Sequence, residues 1–92
     1  MGNAIQISLI GKPGCHLCED AKVALAATVL AFSGSHPDAE VAVSEFNILE
    51  DSALAEKYAD EIPVVLVNGK MHSYWHIDPA RLLAKLAEVA DV

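Results

Sequence analysis

Apolar residues along this chain fall alternately into short runs of strand type and longer stripes of helical type. Ile5 to Ile10 is apolar and β-branched, interrupted only by Gln6 and Ser8 and closed by Gly11, the pattern of a strand buried on at least one face. Pro13 and Gly14 turn the chain, and a helix begins at or beside Cys15. Its core stripe is Cys18, Ala21, Leu25, Val29 and Phe32, which turns Cys18 inward and leaves Cys15 at the exposed end. Gly34, Ser35, His36 and Pro37 stop that helix in a polar turn. Val41 to Asn47 reads as a second strand, with Val41, Val43 and Glu45 on one face and Ala42, Ser44 and Phe46 on the other. Asp51 or Ser52 caps a short helix reaching about Tyr58, with Leu54 and Tyr58 meeting one turn apart.

After the break at Asp60-Glu61-Ile62-Pro63, Val64 to Val67 is the most apolar run and reads as a fully buried strand. Asn68-Gly69 is a hairpin signal that returns the chain into Met71 to about Tyr74, and Tyr74 and Trp75 are expected in the core, with the edge of a substrate groove as the alternative. Asp78-Pro79 opens a last helix, an N-cap followed by proline at the first helical position, whose core face is Leu82, Leu83, Leu86, Val89 and Ala90. The order is β-α-β-α-β-β-α. A crossover helix makes the first two strands parallel, and a tight turn makes the last two antiparallel. The expected fold class is α/β, a three-layer α/β/α sandwich around a mixed sheet of four strands, filling residues 1–92 as a single domain.

Composition narrows the function. The net charge of −7 argues against non-specific binding to nucleic acid or to anionic membranes. No apolar run reaches the ~18 residues that a membrane span needs, and Met1 to Ala4 lacks the basic start and apolar core of a secretory signal. A cytoplasmic, monomeric protein is expected, in a compartment where a cycling disulfide is normal and a permanent one is not. The apolar fraction of 53% supplies a core without staples. A bridge between Cys15 and Cys18 would close too small a loop to stabilise the chain much, so the pair reads as chemistry rather than scaffold.

Cys15 is the candidate nucleophile. At a helix start its sulfur faces unpaired backbone N–H groups and the positive end of the helix dipole, both of which favour the thiolate. Lys12 and a protonated His16 push the same way, while Glu19 and Asp20 in the first turn oppose. Cys18, on the buried stripe, keeps a higher pKa and is the candidate resolving thiol that attacks a mixed disulfide formed at Cys15. His36 is expected at the surface, and His72 and His76 show no ligand spacing. The competing class is metal binding, in which the two thiolates, with His16 as a third donor, hold zinc or part of an iron–sulfur cluster. A closed zinc site needs four ligands, and there is no second Cys-x-x-Cys or Cys/His pair.

Pro-Gly-Cys-His-Leu-Cys after the first strand, with Ile62-Pro63 before the third, resembles the thioredoxin fold, and more closely the small bacterial glutaredoxin-like proteins, over about Ile5 to Ala90. The resemblance implies that Pro63 is cis, faces the cysteine pair, and exposes the backbone of Ile62 to a peptide substrate. Read from their places beside the pair rather than from the resemblance, Lys12, suited to an acidic group on a partner, and His16, between the cysteines, are further candidate substrate-binding residues. The chain departs from thioredoxins proper, which have Trp before the first cysteine, Gly-Pro between the pair, and a buried aspartate where Leu9 stands. It departs from glutaredoxins proper at Glu61-Ile62-Pro63, where they have Thr-Val-Pro, and at Tyr74-Trp75-His76-Ile77-Asp78, where they have Gly-Gly and a polar cap that hold glutathione. The implied activity is dithiol–disulfide exchange on protein or low-molecular-weight disulfides, with an external thiol donor and neither metal nor organic cofactor. The donor is left open between glutathione and a thioredoxin reductase-type enzyme.

Overall fold

The computed structural model describes residues 4–90. The run that begins at Ile5 forms β1 (Ile5–Gly11), and its alternation decides how the sheet is covered. Ile5, Ile7 and Leu9 point to one face and are almost wholly buried, while Ile10 is buried on the other. The remaining elements follow in the expected order: α1 (His16–Ser35), β2 (Val41–Asn47), a single 3-10 turn (Ile48–Glu50), α2 (Ser52–Tyr58), β3 (Val64–Val67), β4 (Lys70–Tyr74) and α3 (Pro79–Ala90).

The sheet runs β2-β1-β3-β4. β1 and β2 are parallel, whereas β3 is antiparallel to both β1 and β4. The register opposes Leu9 to Val65 and Ile7 to Val67, so these four side chains share the face covered by α1 and α3. Ile10 opposes Val64, and on their face Ile48 and Tyr58 complete a smaller cluster under α2. Asn68 and Gly69 turn β3 into β4 with φ of 51° and 83°, the doubly positive pair that a two-residue hairpin needs. Asp51 caps α2 by accepting from Ala53 and Leu54 N–H, and Asp78 caps α3 by accepting from Ala80 and Arg81 N–H. Among the described residues no helix is long and apolar enough to cross a membrane.

Three details differ from the pattern read in the sequence. In α1 the stripe passes through Thr28, and Val29 lies half-buried at its rim. The spacing from Leu25 to Phe32 accommodates either residue, and the hydroxyl of Thr28 is satisfied because it donates to the Ala24 carbonyl at 2.8 Å. In β2 the faces are as expected, with Val41, Val43 and Glu45 set beside Ile5, Ile7 and Leu9 by the register, but Val43 to Phe46 are all exposed because β2 is an edge strand that α1 covers only in part. Tyr74 and Trp75 are not core residues. They stand 47% and 50% exposed, where the chain turns out of the other edge strand.

Phe32 anchors the larger cluster at 0% exposure and stacks on His36, with ring centroids 4.5 Å apart. Phe32→Ala is expected to cost about 3–5 kcal/mol in denaturant unfolding. Leu30→Ala, on the same helix but 76% exposed, is expected to change stability by less than about 0.5 kcal/mol.

Candidate active site

β1 delivers the chain to the start of α1, and the cap of that helix is Cys15 itself. Its backbone is extended (φ −96°, ψ 117°), its carbonyl accepts the first helical hydrogen bond from Glu19 N–H at 3.1 Å, and its sulfur accepts from Cys18 N–H at 3.3 Å. Sulfur therefore takes the place that a serine or aspartate oxygen usually holds at a helix N-cap. Both thiols are free, Cys15 half-buried and Cys18 buried at 4% exposure.

The two sulfurs are driven apart in acidity. The Cys15 pKa is lowered, first by a hydrogen bond from the Cys18 thiol; burial is the next largest influence and opposes it, and the backbone N–H groups of Cys18 and Leu17 and the charge of Lys12 then add to the lowering. Cys18 is pushed up to about 11, chiefly by burial, and further by its hydrogen bond to Cys15 and by the negative charges of Cys15 and Glu19. The Lys12 backbone N–H works in the opposite direction on Cys18 without offsetting these causes.

Of the residues read from the sequence as site residues, Lys12 lies exposed in the loop before Cys15 and acts on it by charge. His16 is the first residue of α1 and is exposed. Pro63 is buried and the Ile62–Pro63 peptide is cis. Pro63 directly precedes Val64, the partner of Ile10, so it stands at the end of the sheet from which the cysteine loop departs. Ile62 is half-buried against the cluster of Ile10 and Val64. Among the described residues no group of three or more His, Cys, Asp or Glu side chains converges, so the two thiols stand without a third donor of those types. A groove of about 460 Å³ runs along α1 and β2, lined by residues such as Leu25, Val29, Leu30 and Val43, and it includes neither cysteine nor Pro63.

A model of the glutaredoxin-like domain (DUF836) matches residues 6–87. The chain belongs to that family. An uncharacterized protein of Mycobacterium tuberculosis H37Rv is 36% identical to this glutaredoxin-like chain over 84 residues, 89% of it and 82% of the relative. The X-ray structure of a structural-genomics target protein from X. campestris superposes with a TM-score of 0.68 at 28% identity, covering 89% of this chain and 96% of that one. Thioredoxin-2 of the malaria parasite superposes with a TM-score of 0.65 at 15% identity, covering 96% and 85%. The last likeness is one of fold, and it identifies the architecture as thioredoxin-like.

Two residues that the sequence did not mark out as site residues stand close to these groups. A Cβ built on Gly11 would lie 2.8 Å from the Cys18 sulfur and 3.3 Å from its Cβ, so the absence of a side chain at the end of β1 is what lets the buried thiol sit against the strand. The second is Trp75. Its backbone has a φ of 66° while His76 N–H donates to the Tyr74 carbonyl at 2.8 Å, a γ-turn with a left-handed centre. For a bulky residue that conformation costs on the order of 1–3 kcal/mol. Trp75 N–H donates to the Pro63 carbonyl at 2.9 Å, and its indole N–H to the Asp60 carbonyl at 3.0 Å. A glycine ending a strand, and a tryptophan where that backbone would suit glycine, give no signal in the sequence. Only the register and the dihedral reveal them.

Gly11→Ala is expected to destabilise the reduced protein by about 1–3 kcal/mol and to move the Cys15 titration toward that of an ordinary thiol, because Cys18 must shift and carries the cap with it. Gly34→Ala, inside α1 with nothing within 4 Å of the added carbon, is expected to stabilise by about 0.5–1 kcal/mol and to leave the titration where it is. Thermal unfolding together with the pH dependence of Cys15 alkylation tests both.

Proposed function

We propose that this glutaredoxin-like domain is a dithiol oxidoreductase that cycles a disulfide between Cys15 and Cys18 as it reduces protein or low-molecular-weight disulfides. The observation that supports this is the division of labour between the sulfurs: an accessible one with a lowered pKa at the helix cap, and a buried one pushed up to about 11 beneath it. In the first step the Cys15 thiolate attacks one sulfur of the substrate disulfide. A Cys15–substrate bond forms, the substrate bond breaks, and the other substrate sulfur leaves as a thiolate that takes a proton from water. In the second step Cys18 gives its proton to solvent and attacks the Cys15 sulfur. The Cys15–Cys18 bond forms and the remaining substrate thiol leaves. Two electrons have passed to the substrate, and an external thiol or dithiol donor returns them.

The sequence of steps is supported by the causes that hold Cys18 protonated. Its hydrogen bond to Cys15 and the repulsion from the Cys15 charge both require a thiolate at Cys15, and both vanish once that sulfur is bonded to substrate. Cys18 is then easier to ionise when its attack is needed. Lys12, His16, Ile62 and Pro63 are the proposed substrate contacts. The donor is glutathione or a reductase enzyme, the protein acts as a monomer in the cytoplasm, and the chemistry needs neither a metal nor an organic cofactor.

The test is alkylation of the reduced, metal-free protein across pH with the labelled cysteines mapped by mass. A lowered pKa populates the thiolate at lower pH, so the Cys15 rate is expected to reach its plateau below the ordinary thiol value of about 8.5. Cys18, at about 11, is expected to stay slow through neutral pH. Cys18→Ser is expected to accumulate mixed disulfides at Cys15 that the native protein resolves. Two equally slow thiols titrating near 8.5, with no trapped species, would overturn the reading and turn attention to metal bound by the thiolate pair.

A further inference from the structure

The topology gathers more at this end of the sheet than the thiols. β1 and β2 are parallel, β3 opposes β1 and β4 opposes β3. The C-termini of β1, β2 and β4 and the N-terminus of β3 therefore emerge together. In the sheet order β2-β1-β3-β4, the residues at that end are Phe46 and the following Leu49, then the Cys15 loop, then Pro63, then Tyr74 and Trp75. The four apolar side chains in that row are all exposed, on both sides of the reactive sulfur. Three inter-strand spacings make the row about 14 Å across, the span of roughly four extended residues.

Trp75 is the most constrained member of the row. Its γ-turn is tied to Pro63 through the backbone and to Asp60 through the indole, and Tyr74 braces it edge-on, with centroids 5.0 Å apart at 78°. The residue as a whole is still 50% exposed. A strained backbone kept by two hydrogen bonds, to hold an aromatic side chain half in water beside the proline, is poorly explained by packing. It suits a fixed contact surface, since a ring already immobilised loses little entropy when another group settles on it.

We propose that Trp75 is a specificity-determining residue, and that with Tyr74 it selects polypeptide disulfides flanked by aromatic or aliphatic side chains over low-molecular-weight disulfides. The proposal rests on the thiol chemistry above and names its substrate class. The chain next to the cystine crosses the sheet end, one flanking side chain settles on the Trp75 ring, and the cystine sulfur is presented to Cys15. A small disulfide touches the sulfur and leaves the ring uncovered.

The test compares kcat/KM for glutathione disulfide, for a cystine peptide flanked by Gly and Ser, and for the same peptide flanked by Phe and Leu. The apolar-flanked peptide is expected to be preferred over the Gly/Ser peptide by about five- to tenfold, the range one aromatic contact supplies. In Trp75→Gly, whose new residue suits the turn, that preference is expected to fall below about twofold through KM, while Trp75→Phe retains part of it. No preference in the native protein, or a preference that survives in Trp75→Gly, would overturn the proposal with the thiol chemistry intact. Failure to reduce any of the three disulfides would overturn that chemistry and the proposal with it. A readout independent of turnover, and of whether Trp75→Gly folds, comes from Trp75 being the sole tryptophan in the chain. In the Cys18→Ser protein trapped with each peptide, its emission is expected to shift to the blue with the Phe/Leu flank and to stay unchanged with the Gly/Ser flank. Identical emission in the two adducts would overturn the proposal.

Discussion

The hydrogen bond from Cys18 N–H to the Cys15 sulfur, 3.3 Å long, ties the shape of this protein to its chemistry. A neutral thiol is a weak acceptor and would make a poor helix cap, whereas a thiolate is a good one. The fold therefore gains a capped α1 by having the sulfur ionised, and the sulfur gains acidity by being the cap. Neither effect needs the side chains between the cysteines. They follow from placing a cysteine where a helix of 20 residues begins, so that the N–H groups left over by the helix converge on sulfur.

That arrangement is possible only because of what surrounds Cys18. The same residue supplies the capping N–H from its backbone and a buried thiol from its side chain, so the helix start cannot shift without moving both sulfurs. Gly11 makes the room, since any side chain there would occupy the place of the Cys18 sulfur. Burial then holds Cys18 protonated, helped by the hydrogen bond to Cys15 and by its negative charge as long as that sulfur is ionised. The surface ion contacts nearby, such as Lys22 with Glu45 at 3.3 Å, are exposed and add little by comparison. The asymmetry between the thiols comes from depth and hydrogen bonding rather than from charged neighbours, with Lys12 a lesser contributor.

The elements were legible because each carried two agreeing signals. β1 has its apolar run and the glycine that closes it, α3 has Asp78-Pro79 and a clean apolar stripe, and the β3–β4 hairpin has Asn68-Gly69. Legibility failed where a side chain's placement depends on its neighbours across space. Thr28 replaces Val29 on the buried stripe because a local hydrogen bond satisfies its hydroxyl, a choice that apolar periodicity cannot express. Tyr74 and Trp75 look like core residues by composition and stand half in water, because a turn that no tryptophan signals carries them out of an edge strand. At the site, the two cysteines and Pro63 could be named from their spacing and a family resemblance. The role of Gly11 is invisible without the distance to the sulfur behind it.

The topology explains why the cysteine pair and Pro63 stand at the same end of the sheet. A crossover from β1 to a parallel neighbour obliges α1 to start just past the C-terminal end of β1, which brings the positive end of a helix dipole to the edge of the sheet. Reversing direction at β3 brings the Ile62–Pro63 segment to the same edge, and the hairpin that follows returns Trp75 to it. Strands and helices thus fix where a thiolate is favoured, whatever loops are hung on them. What a particular chain can add lies in four connections, the loop before Cys15, the turn after β2, the segment before β3 and the turn after β4. In this chain the last of these carries a bulky aromatic in a conformation that glycine would hold without strain. The shared architecture decides that sulfur can be reactive, and those connections are left to decide what it meets.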